Sequence, residues 1–170
     1  MNKNEWLENF LEAVSTCGEE GREAVEYIRA NKIRIGMRRA RESVGAFWTL
    51  AKSAHLNTRH YTQESSLTDP YAWTLLIHEA RHLQQGILTA FSIYGELDAW
   101  QYQYRTLKKL TGKQLSELHE ELLSLPLNME RENLQHARKL MTRIAGKSYG
   151  ANFLPLYPIH KEIKYWFAGS

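Results

Sequence analysis

The 170-residue chain has a single cysteine, Cys17. No intrachain disulfide can form, which suits a reducing compartment. No apolar run approaches the ~20 residues of a membrane-spanning helix. The first residues are amphipathic and acidic, without the basic and then apolar stretch of a secretory leader. A cytoplasmic protein is the expectation. An excess of charge is also missing: 22 Lys and Arg stand against 19 Asp and Glu, for a net +3. The basic clusters Arg38-Arg39, Arg41 and Lys108-Lys109 are small and read as solvated faces. Neither a nucleic-acid partner nor a membrane is expected. There is no internal repeat and no low-complexity tract. Only four prolines interrupt the chain, which leaves room for long helices. A hydrophobic content of 43% is ample for the core of one compact domain, or of a core with a helical extension.

Along the chain, Trp6, Leu7, Phe10, Leu11 and Val14 fall at helical spacing and predict a helix over 4–15. A break at Thr16-Cys17-Gly18 or Gly21 precedes a second helix over 19–31, with Ala24, Val25 and Ile28 inward. Strand-like runs follow at 33–37, 44–50 and 55–61. After a polar loop over 62–69, the rest reads as helical: about 70–85, 88–110, 113–124 and 128–145. Pro126 separates the last two of these. Gly146, Gly150, Pro155 and Pro158 mark 146–158 as an irregular connector before a terminal helix near 159–167.

The helix over 70–85 carries the chemistry. Asp69-Pro70 supplies a cap and a favoured first residue, and Gly86 a stop. Trp73, Leu76, Ile77, Ala80 and Leu83 form an apolar arc. His78, His82, Tyr71, Leu75 and Gln85 form the opposite arc, with Glu79 at its margin. The segment His78-Glu79-Ala80-Arg81-His82 is therefore a His-Glu-x-x-His motif on a helix. Its histidines lie one turn apart, which suits two nitrogens of one Zn²⁺, and Glu79 is placed to serve as a general base. Arg81, on the flank, is expected to form a salt bridge. Cys17 reads as a buried structural thiol.

A catalytic zinc takes a third protein ligand. Metzincins place a Gly three residues and a His six residues after the second histidine. Here those positions are Gln85 and Leu88, and no His occurs in 83–95. The first acidic residue downstream is Glu96, in Tyr94-Gly95-Glu96-Leu97-Asp98-Ala99-Trp100. The gap from His82 leaves room for a turn and an antiparallel return.

With this segment the chain resembles the gluzincins, a branch of the zincin metallopeptidases, and in compactness the minigluzincin-like domains. In related enzymes the ligand helix reads Glu-x-x-Ala-Asp. On that pattern Glu96 is the third ligand and Ala99 the small residue that admits close helix approach. Trp100 stands where an Asp usually braces a histidine, with Asp98 as a substitute brace. The resemblance implies an α+β fold in which a three-stranded or larger twisted sheet backs the motif helix. Residues 1–106 would form the zincin-like core with its N-terminal helices, and 107–170 a helical extension packed on it. It further implies a zinc-dependent metallopeptidase: Zn²⁺ on His78, His82 and Glu96, Glu79 as the base activating water, and a tyrosine or histidine stabilising the oxyanion. Tyr94 is chosen for that role by its nearness to Glu96, ahead of Tyr102, His60 and His160. A peptide or protein substrate would add to a sheet edge, either 43–50 or 55–61. The aromatic tail (Tyr149, Phe153, Tyr157, Tyr165, Trp166 and Phe167) is expected to pack on the domain, with cleft cover or a homodimer surface as the other uses. The alternative to an enzyme is a zincin-like binding or regulatory module that does not cleave.

Overall fold

A computed structural model describes residues 2–146 and 149–168, and past Ile163 the backbone alone. The side chains of Tyr165, Trp166 and Phe167 thus lie outside the described part. The chain is α+β, with a small three-stranded mixed sheet and mostly helical content. Helices α1 (Lys3–Ser15) and α2 (Glu19–Ala30) come first. Asn2 and Glu5 cap α1 reciprocally. Gly18, at φ 86°, makes the turn into α2, where Cys17 is buried and its thiol pKa is pushed up to about 11, chiefly by that burial.

Strands β1 (Arg34–Arg38), β2 (Ala46–Thr49) and β3 (Ser53–Asn57) stand in the order β1-β3-β2. β3 is central, parallel to β1 and antiparallel to β2. The third strand thus starts and ends earlier than the sequence pattern suggested. Residues 58–60 turn back instead, because Asn57 spends its side chain on the backbone of Ala40, Arg41 and Val44. Of the two candidate edges only β2 is one. The N–H of Asn57 donates to the Gly45 carbonyl at 2.9 Å. Antiparallel alternation then turns the backbone groups of Ala46 and Trp48 outward, away from β3.

After the short α3 (Gln63–Ser66), α4 (Pro70–Gln85) is capped by the Asp69 side chain. It packs against α1, α2, β2 and β3, and its arc of Leu76, Ile77 and Ala80 joins Trp6, Phe10, Val25, Ile35, Ala54 and Leu56 in the first core cluster. The expected helix over 88–110 is two. α5 (Ile87–Ala90) stops at Phe91, and Ser92 caps α6 (Ile93–Thr111) by accepting the Gly95 N–H. α6 returns along α4. A Cβ on Gly95 would lie 2.2 Å from the Thr89 carbonyl oxygen and 3.0 Å from Gln85 Oε1, so only glycine permits this approach. The outer part of the chain comprises α7 (Glu117–Ser124), α8 (Arg131–Ala145), a 3₁₀ turn (Ala151–Phe153) and α9 (Ile159–Ala168). Leu122, Leu134, Leu140, Met141, Leu156 and Tyr157 from this part meet Ile93, Leu97 and Trp100 of α6 in a second cluster. The division expected at 106 therefore runs through one continuous helix that both clusters share. Among the described residues, no helix is long and apolar enough to cross a membrane.

Candidate metal centre

The histidine arc of α4 does not face solvent. α6 covers it, and His78, Glu79 and His82 are all buried. Helical spacing sets the two imidazoles side by side, with Nε2 atoms 3.0 Å apart. Ser92 starts α6 at the height that brings Glu96 opposite them. Its Oε1 lies 3.5 Å from His82 Nε2 and its Oε2 3.9 Å from His78 Nε2. One donor atom from each of the three residues fits within 4.8 Å of the others. Two nitrogens on one tetrahedral zinc stand roughly 3.3 Å apart, so the two imidazoles need to part by only tenths of an ångström to share an ion. Two facing Nε2 atoms can share at most one proton, and a cation would satisfy both lone pairs. The His-His-Glu group can hold a metal ion.

Around the three donors lies a cleft of about 420 Å³. Its walls include Trp48 and Phe91, Leu75, Trp100 and Tyr149, and among the described residues no lysine or arginine lines it. The Trp48 ring stands 6.1 Å from that of His82 and 5.1 Å from that of Phe91. Burial is the main reason that Glu79 is pushed up to about 8. The nearby Glu96 adds to the shift, and the Trp48 backbone on the outer edge of β2 opposes it. Burial, and then His82, hold His78 well below the usual imidazole range.

The expected brace is present in an altered form. Asp98 accepts from Arg81 Nε at 2.8 Å and from Gln85 Nε2 at 2.7 Å. Gln85 Nε2 also donates to the Gly95 carbonyl. With its amide nitrogen held by two acceptors, Gln85 turns Oε1 to His82 Nδ1 at 3.3 Å. That oxygen can only accept, so His82 carries its proton on Nδ1 and leaves Nε2 free as a ligand. Arg81 forms the expected salt bridge and also lies over the Tyr102 ring at 4.9 Å. His78 Nδ1 is buried without a well-formed hydrogen bond and faces the Ala99 backbone and the Gln103 side chain.

Trp100, where the resemblance expects an acid, serves a different contact. Its indole N–H donates to the Tyr149 hydroxyl at 2.7 Å, and that hydroxyl donates to Glu96 Oε2 at 2.5 Å. Burial first, and then Glu96, raise the Tyr149 pKa well above its ordinary value, so it stays a donor. Tyr94 is elsewhere. It packs on the second core cluster, gives its backbone N–H to Leu156, and does not line the cleft. Tyr102 bonds to Glu23, His60 to the Glu42 carbonyl, and His160 is exposed on α9. The structure brings His78, Glu79, His82 and Glu96 together and adds Gln85, Trp48 and Tyr149. Gln85 had a signal, its place on the histidine arc. Tyr149 had none beyond membership of an aromatic tail.

Comparison of the chain with protein-family models, curated proteins and solved structures gave no match.

Two outcomes follow from this geometry. Gln85→Leu frees the His82 ring, and zinc affinity measured by chelator competition is expected to fall 10- to 100-fold. The ¹⁵N shifts of His82 in the metal-free protein are expected to move from the Nδ1–H tautomer to a mixture. In that metal-free protein Glu79 binds its proton more tightly folded than unfolded. The stability gained from that proton is complete below the ordinary carboxylate value of 4.5 and is lost as pH rises toward about 8. Urea unfolding in chelator should show the stability of the wild type relative to Glu79→Gln dropping across this window by at most about 1.4 kcal/mol per pH unit. The difference isolates Glu79, because His78, held neutral in both proteins, contributes a slope of opposite sign below the ordinary imidazole value.

Proposed function

We propose that the chain is a zinc metallopeptidase of gluzincin type. One observation carries the reading: the His78, His82 and Glu96 donors converge within 4.8 Å beside a buried carboxylate one residue after the first histidine. Two nitrogens and a carboxylate oxygen are the donor set of a catalytic zinc with an open fourth position. Zinc held there would lower the pKa of a coordinated water and polarise a peptide carbonyl.

The chain's own groups supply the remaining chemistry. Glu79 takes a proton from water in the cleft and returns it to the leaving nitrogen. The raised pKa belongs to the metal-free site; the positive charge of zinc beside it would lower that value and keep the carboxylate ionised to accept the proton. Tyr149, kept protonated, turns its hydroxyl from Glu96 to the carbonyl oxygen as charge develops there. An extended peptide takes the outward backbone groups of Ala46 and Trp48 on β2 as its ladder.

A second reading, a zincin-like binding or regulatory module that does not cleave, draws on the bond from Tyr149 to Glu96. That contact holds the segment after α8 against the ligand set.

The experiment is cleavage of a broad peptide library by zinc-loaded protein, with Glu79→Gln beside the wild type. The enzyme reading expects cleavage by the wild type, a loss of at least 100-fold in the variant, and unchanged zinc content. Zinc bound with no cleavage by either protein favours the second reading. Absence of zinc binding sinks both. Tyr149→Phe, assayed alongside, is expected to lower kcat about 10- to 100-fold with little change in KM. An unchanged kcat would remove it from the chemistry.

A further inference from the structure

The sheet has a second face that the metal centre does not use. Ala46, Ile35, Ala54 and Leu56 point to the helices and are buried in the first cluster. Strand alternation sends their neighbours the other way. Cross-strand partners share a face, and the register pairs Arg34 with Ser53, Gly36 with His55, Phe47 with His55 and Thr49 with Ser53. The opposite face therefore presents Arg34, Arg38, Phe47, Thr49, Ser53 and His55. Bare Gly36 leaves its strand flat opposite the His55 ring, where an added Cβ would stand 3.3 Å from Nδ1.

Charge along the segment that builds the sheet is one-sided. Between Lys32 and Arg59 stand seven of the 22 Lys and Arg (Lys32, Arg34, Arg38, Arg39, Arg41, Lys52 and Arg59) and one of the 19 acids, Glu42. All seven are exposed, and among the described residues none has an acidic partner. The ion pairs of the described residues lie on other residues. The chain's modest net charge conceals this segregation. Within the face, a hollow of about 740 Å³ is bordered by Lys3, Arg34, Arg38, Thr49, Ser53 and His55. A hydroxyl chain crosses it: Thr49 Oγ1 to Ser53 Oγ at 2.8 Å, and Ser53 Oγ to His55 Nε2 at 2.9 Å. His55 Nδ1 is buried there without a hydrogen-bond partner. Burial first, and then Arg38, Arg34 and Lys3, hold His55 below the usual imidazole range.

We propose that this sheet face binds a single-stranded nucleic acid through its phosphates, independently of the metal centre. Two of the three cations that border the hollow, Arg34 and Arg38, are arginines, whose planar forks match phosphate oxygens. The hydroxyls between them are further phosphate donors. The half-buried Phe47 ring, 5.3 Å from that of His55 on the same face, offers a base-stacking surface across β3 from these cations, an arrangement that suits single strands over duplex. An acidic polypeptide would use the charge alone and leave the ring and the hydroxyl chain without a role.

The test is fluorescence anisotropy of the full chain with a labelled twelve-residue oligothymidylate, repeated from 50 to 200 mM salt. About four phosphate contacts on a single strand would weaken binding roughly 50-fold across that range. The double variant Arg34→Ala/Arg38→Ala should halve the salt slope, whereas Lys108→Ala/Lys109→Ala, exposed on α6, should leave it unchanged. Circular dichroism confirms that both variants are folded. Absence of binding at 50 mM salt overturns the proposal, as does an equal loss in both double variants. Competition by polyglutamate as effective as that by unlabelled oligonucleotide of equal charge also overturns it, in favour of an acidic protein partner. A duplex that binds more tightly than the single strand removes the stacking role of Phe47 and overturns the single-strand assignment.

Discussion

Two carboxylates and two imidazoles share the seam between α4 and α6, and among the described residues no lysine or arginine lines the cleft that opens on them. The rest of the molecule is arranged around that electrostatic demand. A buried carboxylate with no cation either gives up its charge or recruits one, and the raised pKa of Glu79 shows the first response. A divalent ion between His78, His82 and Glu96 would be the second. It would satisfy the two facing Nε2 atoms and the Glu96 carboxylate at once. The seam exists because Gly95 lets α6 enter against the Thr89 carbonyl and because Ala99, wholly buried, keeps the helices close. Backbone proximity comes first here, and the donor geometry is its consequence.

The cation inside the motif is kept off the ligands. Arg81 sits inside the motif, but its flank position points it at Asp98 rather than at Glu96. Asp98, neutralised in this way, is free to hold the Gln85 amide. An acid at position 100, bonded straight to a histidine, would have added a third buried negative charge beside Glu79 and Glu96. The amide relay orients His82 without that charge, and it leaves position 100 for an indole that holds Tyr149. The departure from the gluzincin pattern at Trp100 and the presence of Gln85 on the histidine arc are two sides of one arrangement.

This division explains what could be read in the chain beforehand. The motif helix, its Asp69-Pro70 start and its Gly86 stop are local, set by periodicity and capping, and they stand where the pattern put them. Glu96 was legible because ligand spacing along an antiparallel helix pair is still nearly local. The break at Phe91-Ser92 was not legible, since a serine cap competes with an otherwise continuous helical pattern and wins only when the Thr89 carbonyl and Gly95 meet. The order β1-β3-β2 could not be read from three short strands, whose pairing depends on where α4 lies. Tyr149 was least accessible of all. It reaches Glu96 across 53 residues, and its side chain became a site residue only when the second core cluster folded the connector after α8 back onto α6.

The sheet belongs to both halves of this account. α4 packs on one face of the sheet, against β2 and β3. The antiparallel edge strand then does two things at once. Its outward backbone faces the cleft, where Trp48 approaches Glu79, while its alternate side chains, Phe47 and Thr49, belong to the opposite face. A side chain on β2 cannot change faces without a register slip that would expose Ala46 and bury Thr49. The metal cleft and the arginine-rich face are therefore held in fixed relation by one four-residue strand, with opposite electrostatic character on its two sides: uncompensated carboxylates toward α4 and α6, uncompensated guanidinium groups away from them. That polarity keeps the arginines from neutralising the ligand set, because the sheet and its buried apolar layer stand between them.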